Sequence, residues 1–182
     1  ASSATGSRSS SESAIGAMAG AIYDEASGIR ARGARLRYED AHGGTPETST
    51  ELELVRLDAK RCEMVDEEAR SAAALAMRAA YAGDLGHAEE VASDLLILAE
   101  RHGIQSAAID AWQALAVVRQ TRGEAGQALF ARREAARAAE QCGLKTREAT
   151  LTINVGFALT TLGVKVEARN AIDAGIALAH AV

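Results

Sequence analysis

The chain of 182 residues is 48% hydrophobic but only 3% aromatic, with 42 Ala against 34 Val, Ile and Leu together and 1 Pro. This composition favours helix almost everywhere and rules out a mainly β fold. A net charge of -5 and a pI of about 5.4 argue against a nucleic-acid surface, which needs a basic stripe to neutralise phosphates.

The opening ASSATGSRSSSES has low complexity, no apolar periodicity and no initiating Met, so residues 1–12 are expected to be a disordered lead or an expression remnant. From about Ser13, Ile15, Met18, Ala19, Ile22, Ala26, Ile29 and Leu36 recur at three- and four-residue steps, the stripe of a long helix weakened by Gly16, Gly20, Gly28 and Gly33. His42-Gly43-Gly44 stops it, and Pro46 suits the first turn of a second helix carrying Leu52, Val55, Ala59 and Cys62 on one face. These helices, residues 13–68, are expected to form an N-terminal, degenerate repeat.

Beyond them the sequence repeats itself. Gly83, Gly123 and Gly163 are 40 residues apart, and in the same phase Ala88 matches Ala128 and Ala168, while Leu75 matches Leu115 and Val155. Gly103 matches Gly143, and extrapolation of the Gly83 series backwards reaches Gly43. Three units are expected, 69–108, 109–148 and 149–182, each a helix, a Gly-containing turn, a helix and a second Gly-containing link. Such a unit cannot bury its apolar face alone, so neighbours must stack into a solenoid.

This pattern resembles the tetratricopeptide repeat family. Trp112, Leu115, Ala116, Gly123 and Ala128 fit its large, Leu, small, turn and Ala positions, and Leu75, Ala76, Gly83 and Ala88 match likewise, as do Val155, Gly156, Gly163 and Ala168. The usual tyrosine is Ala79, Arg119 or Leu159 here, no proline closes a unit, and the period of 40 is similar to the elongated variant of kinesin light chains and bacterial signalling proteins. The resemblance implies an all-α, right-handed α-solenoid of helix-turn-helix repeats.

The search for chemistry finds little. His42, His87, His102 and His180 are scattered without metal-ligand spacing, so no metal is expected. Cys62 and Cys142 lack an activating neighbour and are two repeat periods apart, well beyond the roughly 7 Å reach of a disulfide if two helix layers separate them. Two cysteines also suit a reducing interior, and no run of 18 apolar residues spans a membrane, so a cytoplasmic chain is expected. Lys60, Lys145 and Lys165 are the only lysines, an Arg bias that, with so much Ala, is associated with GC-rich bacterial genomes. Arg30, Arg32, Arg35 and Arg37 are read as balanced by the flanking Asp24, Glu25, Glu39 and Asp40. No cofactor motif and no catalytic constellation exists, and no enzyme is expected.

Function is therefore expected to be binding. In the tetratricopeptide family the ninth residue of each first helix faces a concave groove. Counting from Ala69, Ile109 and Ala149 gives Met77, Val117 and Phe157, an apolar row beside Ala73, Gln113 and Ile153. Arg70, Tyr81, Asp110, Gln120 and Asn154 edge it. The family's carboxylate clamp lacks its basic residues here, so the groove is expected to take a protein or peptide, such as an amphipathic helix or an extended apolar segment, as the regulatory or sensor part of a larger bacterial signalling protein. The same row packing against a helix of its own chain stays open. A homodimer is the alternative, because Ile172 and Ile176 lack a capping helix before Val182; a small-molecule sensor pocket on the same fold is another.

Overall fold

Ala-rich segments separated by glycine every 20 residues from Gly83 to Gly163 leave the backbone little choice but short helices joined by tight turns. The structure, a computed structural model, describes residues 6–181, with side chains from Met18 onward. The described residues form eight helices and no strand: α1 Gly6–Ala41, α2 Pro46–Arg61, α3 Val65–Ala82, α4 Leu85–His102, α5 Gln105–Thr121, α6 Ala125–Gln141, α7 Lys145–Thr161 and α8 Lys165–His180. Residues 1–5 of the expected lead, and the side chain of Ile15, lie outside the described residues. α1 already begins at Gly6, ahead of the start near Ser13 read from apolar periodicity, because the polar run from Gly6 carries no apolar stripe to register.

The joints share one geometry. Left-handed φ occurs at Gly43, Glu63, Gly83, Gly103, Gly123, Gly143 and Gly163, 20 residues apart throughout. At six of them the next N–H donates to a carbonyl five residues back, Met64 to Ala59, Asp84 to Ala79, Ile104 to Ala99, Glu124 to Arg119, Leu144 to Ala139 and Val164 to Leu159, at 2.8–3.0 Å. This is the closure that satisfies the orphan carbonyls of a helix end. Glu63, at φ 54, is the one non-glycine among the described residues with this backbone, so its Cβ bears a strain that glycine lacks. Glu63→Gly is expected to raise stability by about 0.5–1 kcal/mol, read as a higher urea midpoint with unchanged m-value.

The chain divides into two compact units, Ala1–Glu68 and Ala69–Val182. In the first, Ile29 and Leu36 of α1 and Leu52, Val55 and Ala59 of α2 are buried, whereas Met18 and Ile22 at the front of the same α1 stripe are 66% and 64% exposed. Three of the four clustered arginines are paired, mostly by the following helices and not by the cluster's own flanks. Arg32 pairs with Asp58, Arg37 with Glu67, and Arg35 with both Glu39 at 2.9 Å and Glu51 at 3.0 Å. Pro46 occupies the first turn of α2, where its missing N–H costs nothing.

In the second unit consecutive helices pack, and small apolar clusters join them in threes: Ala80, Ala88 and Val118 across α3, α4 and α5; Ile109, Ala135, Ala139 and Leu151 across α5, α6 and α7; Val155, Leu159 and Ala168, with Leu129, across α6, α7 and α8. Alanine supplies much of this core, and its small side chain lets helix axes approach at the short end of the 8–10 Å range. The helix pairs begin at Val65, Gln105 and Lys145, four residues ahead of the expected starts at 69, 109 and 149. Ile104 and Leu144 stand at the N-cap without a capping side chain, so nothing in their chemistry announces the helix start.

An ion-pair network ties α4 to α5. Glu89 accepts from Arg122 Nη1 at 2.6 Å and from Arg119, which also holds Glu124 at 3.0 Å. The Arg122 hydrogen bond keeps the Glu89 carboxyl below its ordinary 4.5 against the opposing effect of burial, and the Arg119 charge adds to it. A carboxyl lowered in the folded state adds stability above its unfolded value, and that contribution is lost as pH falls through the folded one. Urea midpoints are therefore expected to fall below about pH 4.5, and less steeply in Glu89→Gln.

Candidate functional site

A helix presents one face through residues three and four apart, and the expected groove residues follow that rule except for the adjacent pair Ile153 and Asn154. Arg70, Ala73, Met77 and Tyr81 lie along α3; Asp110, Gln113, Val117 and Gln120 along α5; Ile153, Asn154 and Phe157 along α7. Their surroundings differ. Arg70, Tyr81, Gln120 and Phe157 are exposed, Tyr81 at 75% and Phe157 at 59%. Ala73, Met77, Asp110, Gln113, Val117, Ile153 and Asn154 are half-buried.

Three of the half-buried residues are engaged within the unit. Val117 packs against the Ala80, Ala88 and Val118 cluster. Asp110 accepts from Arg147 of α7, a bridge between alternate helices that sequence reading did not anticipate. Ile153 belongs to the seam between α7 and α8: a Cβ on Gly175 would come within 2.6 Å of its Cγ1. The row read as the fifth positions therefore includes a residue turned to the partner helix.

Two features lay outside the expected set. Trp112 of α5 meets Phe130 of α6 edge-to-face, ring centroids 5.8 Å apart at 87°. They border a cleft of about 340 Å³ with Leu115, Arg119, Gly126, Gln127 and Ala131. Its lining is mostly apolar, and its one cation, Arg119, is held by Glu89 and Glu124. Trp112 was legible as the large residue of a repeat; its pairing with Phe130, 57% exposed on the second helix, had no sequence signal.

The second feature is Arg132 of α6. In the 40-residue register it falls at the place of the fully buried Ala92 and of Ile172, whose Cγ1 would meet a Cβ on Gly156 at 2.5 Å. A guanidinium thus stands where apolar groups stand in the neighbouring pairs. It is half-buried, its Nε has no hydrogen-bond partner, and Nη2 donates to Gln120. Burial pushes its ionisation below the usual arginine range, with the neighbouring Tyr81 opposing this.

Among the described residues no cluster of three His, Cys, Asp or Glu forms a potential metal site. No helix there is long and apolar enough to cross a membrane. Cys62 and Cys142 are free, half-buried and at helix C-caps. Asp84 caps α4 by accepting from the His87 N–H at 3.2 Å. No model of a known protein family matches the chain, and no curated protein does.

Proposed function

We propose that residues 69–182 form a tetratricopeptide-like, right-handed solenoid that binds a protein or peptide segment along the face of α3, α5 and α7, as a non-catalytic module of a larger bacterial, cytoplasmic regulator. The observation that carries the reading is a difference in burial. α5 is buried over a broad surface, through Ala107, Ala111, Ala114 and Val118 on one line and Ile109, Leu115 and Ala116 beside it. α6 is buried along the single stripe Ala128, Ala131, Ala135, Ala138 and Ala139. A helix enclosed by neighbours on several sides and one backed by solvent are what stacked pairs require, with first helices inside and second helices outside. The inner helices then expose Tyr81, Gln120 and Phe157, while Met77 and Val117 keep part of their apolar surface open.

The Trp112–Phe130 cleft supports a small-molecule pocket less well, since a specific pocket needs convergent polar groups free to meet a ligand. Self-association draws support from Val166 at 71% and Ile176 at 43% exposure on α8; Ile172, in contrast, is occupied in the α7–α8 seam.

Selection of a displayed library of random 12-residue peptides on the whole chain tests the reading. Apolar-containing sequences are expected to enrich, and Phe157→Asp, a change at an exposed position, is expected to weaken them at least tenfold without lowering the melting temperature. Failure to enrich any peptide, with a mass that rises with concentration in sedimentation equilibrium, would replace the groove by self-association.

A further inference from the structure

A half-buried cation is costly unless an anion meets it, because desolvation penalises charge. Elsewhere in the same unit three arginines follow this rule: Arg119 holds Glu89 and Glu124, Arg122 holds Glu89, and Arg147 holds Asp110. Among the described residues Arg132 has no such carboxylate; its one hydrogen bond is to the neutral Gln120 amide, and its Nε is buried without a partner. The two side chains come from α6 and α5. Gln120 is exposed and stands on the face assigned to the partner, so the hydrogen bond ties the guanidinium to a residue of that face.

We propose that Arg132 and Gln120 form an anion subsite at the edge of the groove, which receives one carboxylate of an acidic peptide segment. One guanidinium beside one neutral amide matches a single negative charge, with the Gln120 amide N–H as a further donor. A phosphate dianion would leave charge unmatched, and a polyanion would be repelled by a chain of net charge -5. The apolar surface of Phe157 on the same face adds that the segment carries an apolar residue beside its acid. This inference rests on the groove reading above.

The peptide selection separates the two. Enriched sequences are expected to share an Asp or Glu at one fixed offset from an apolar residue, and synthetic copies with Asn or Gln there are expected to bind at least tenfold more weakly. Arg132→Met removes the buried charge while filling its volume, so the variant is expected to keep or raise its melting temperature and to lose the acidic preference; a structural role alone would give the opposite pattern. Should Arg132→Met fail to fold, Gln120→Ala at an exposed position carries the same test and is expected to weaken the acidic peptide and not its amide copy. Enrichment without an acidic position, or acidic peptides that bind Arg132→Met undiminished, overturns the subsite and leaves the groove standing. Tighter binding of a copy with phosphoserine at the acidic position overturns the carboxylate assignment. No enrichment at all overturns both groove and subsite.

Discussion

Gly156→Ala and Gly175→Ala are each expected to destabilise the second unit by about 1–3 kcal/mol, although alanine in place of a helical glycine ordinarily gains about 1 kcal/mol. The two glycines face isoleucines across an antiparallel seam, Gly156 opposite Ile172 and Gly175 opposite Ile153. A Cβ on Gly156 would lie 3.0 Å from the Ala168 carbonyl oxygen and 3.2 Å from the Ile172 nitrogen. One on Gly175 would lie 2.9 Å from the Ala149 carbonyl oxygen and 3.0 Å from the Ile153 nitrogen. These are backbone atoms, so relief requires the helices to separate and the isoleucines to lose their sockets. Gly28, also inside a helix but with nothing within 4 Å of its ideal Cβ, is the control, and Gly28→Ala is expected to gain up to about 1 kcal/mol. Urea unfolding reads both, and a stabilising Gly156→Ala would mean that the seam is looser than described. The double variant is expected to cost less than the sum, since the first change already opens the shared seam.

Removal of Arg37 is expected to cost the first unit about 3 kcal/mol. The Glu67 carboxylate that it pairs with is 3% exposed, and Arg37 itself is 24% exposed, so the loss is that of a partly desolvated pair and not of a surface contact. Arg37→Ala leaves the carboxylate with less compensation, whereas Arg37→Leu combined with Glu67→Leu removes both charges and is expected to recover much of the loss. Hydrogen exchange of the α1 and α2 amides checks the pair of variants, and equal protection in wild type and Arg37→Ala would show the ion pair to be energetically idle. Gly33 belongs to the same arrangement: a Cβ there would collide with the Glu67 carboxylate, which explains a glycine inside a helix that otherwise gains nothing from it.

Glycine was the most legible residue in this chain because its conformational freedom is local. Gly83, Gly103, Gly123, Gly143 and Gly163 mark joints in sequence and have positive φ in the structure. The joint at Glu63 was invisible for the same reason: the hydrogen bond from Met64 to Ala59 forms there without the residue that signals it. Helix starts at Gln105 and Lys145 were misplaced because the N-caps Ile104 and Leu144 are apolar and read as part of the helical stripe. The groove face was legible only as a set of offsets. Whether Ile153 meets a partner or α8 depends on which residues are small on the next helix, and whether Arg132 is compensated depends on side chains of α5, neither of which any local pattern contains.

The uniform joint also sets the unit in which such a chain can change length. Every link from Gly83 to Gly163 is interchangeable in backbone terms, so loss of residues 105–144 would connect α4 directly to α7 through a turn of the kind already present. Loss of 105–124 alone would make an equally good turn and the wrong protein. It would put α6, with one apolar stripe, where a helix buried on several sides is needed, and every later helix would run in the reverse direction. Backbone cadence permits steps of one helix, while side-chain burial permits only steps of two; parity is stored in the alanines and not in the glycines.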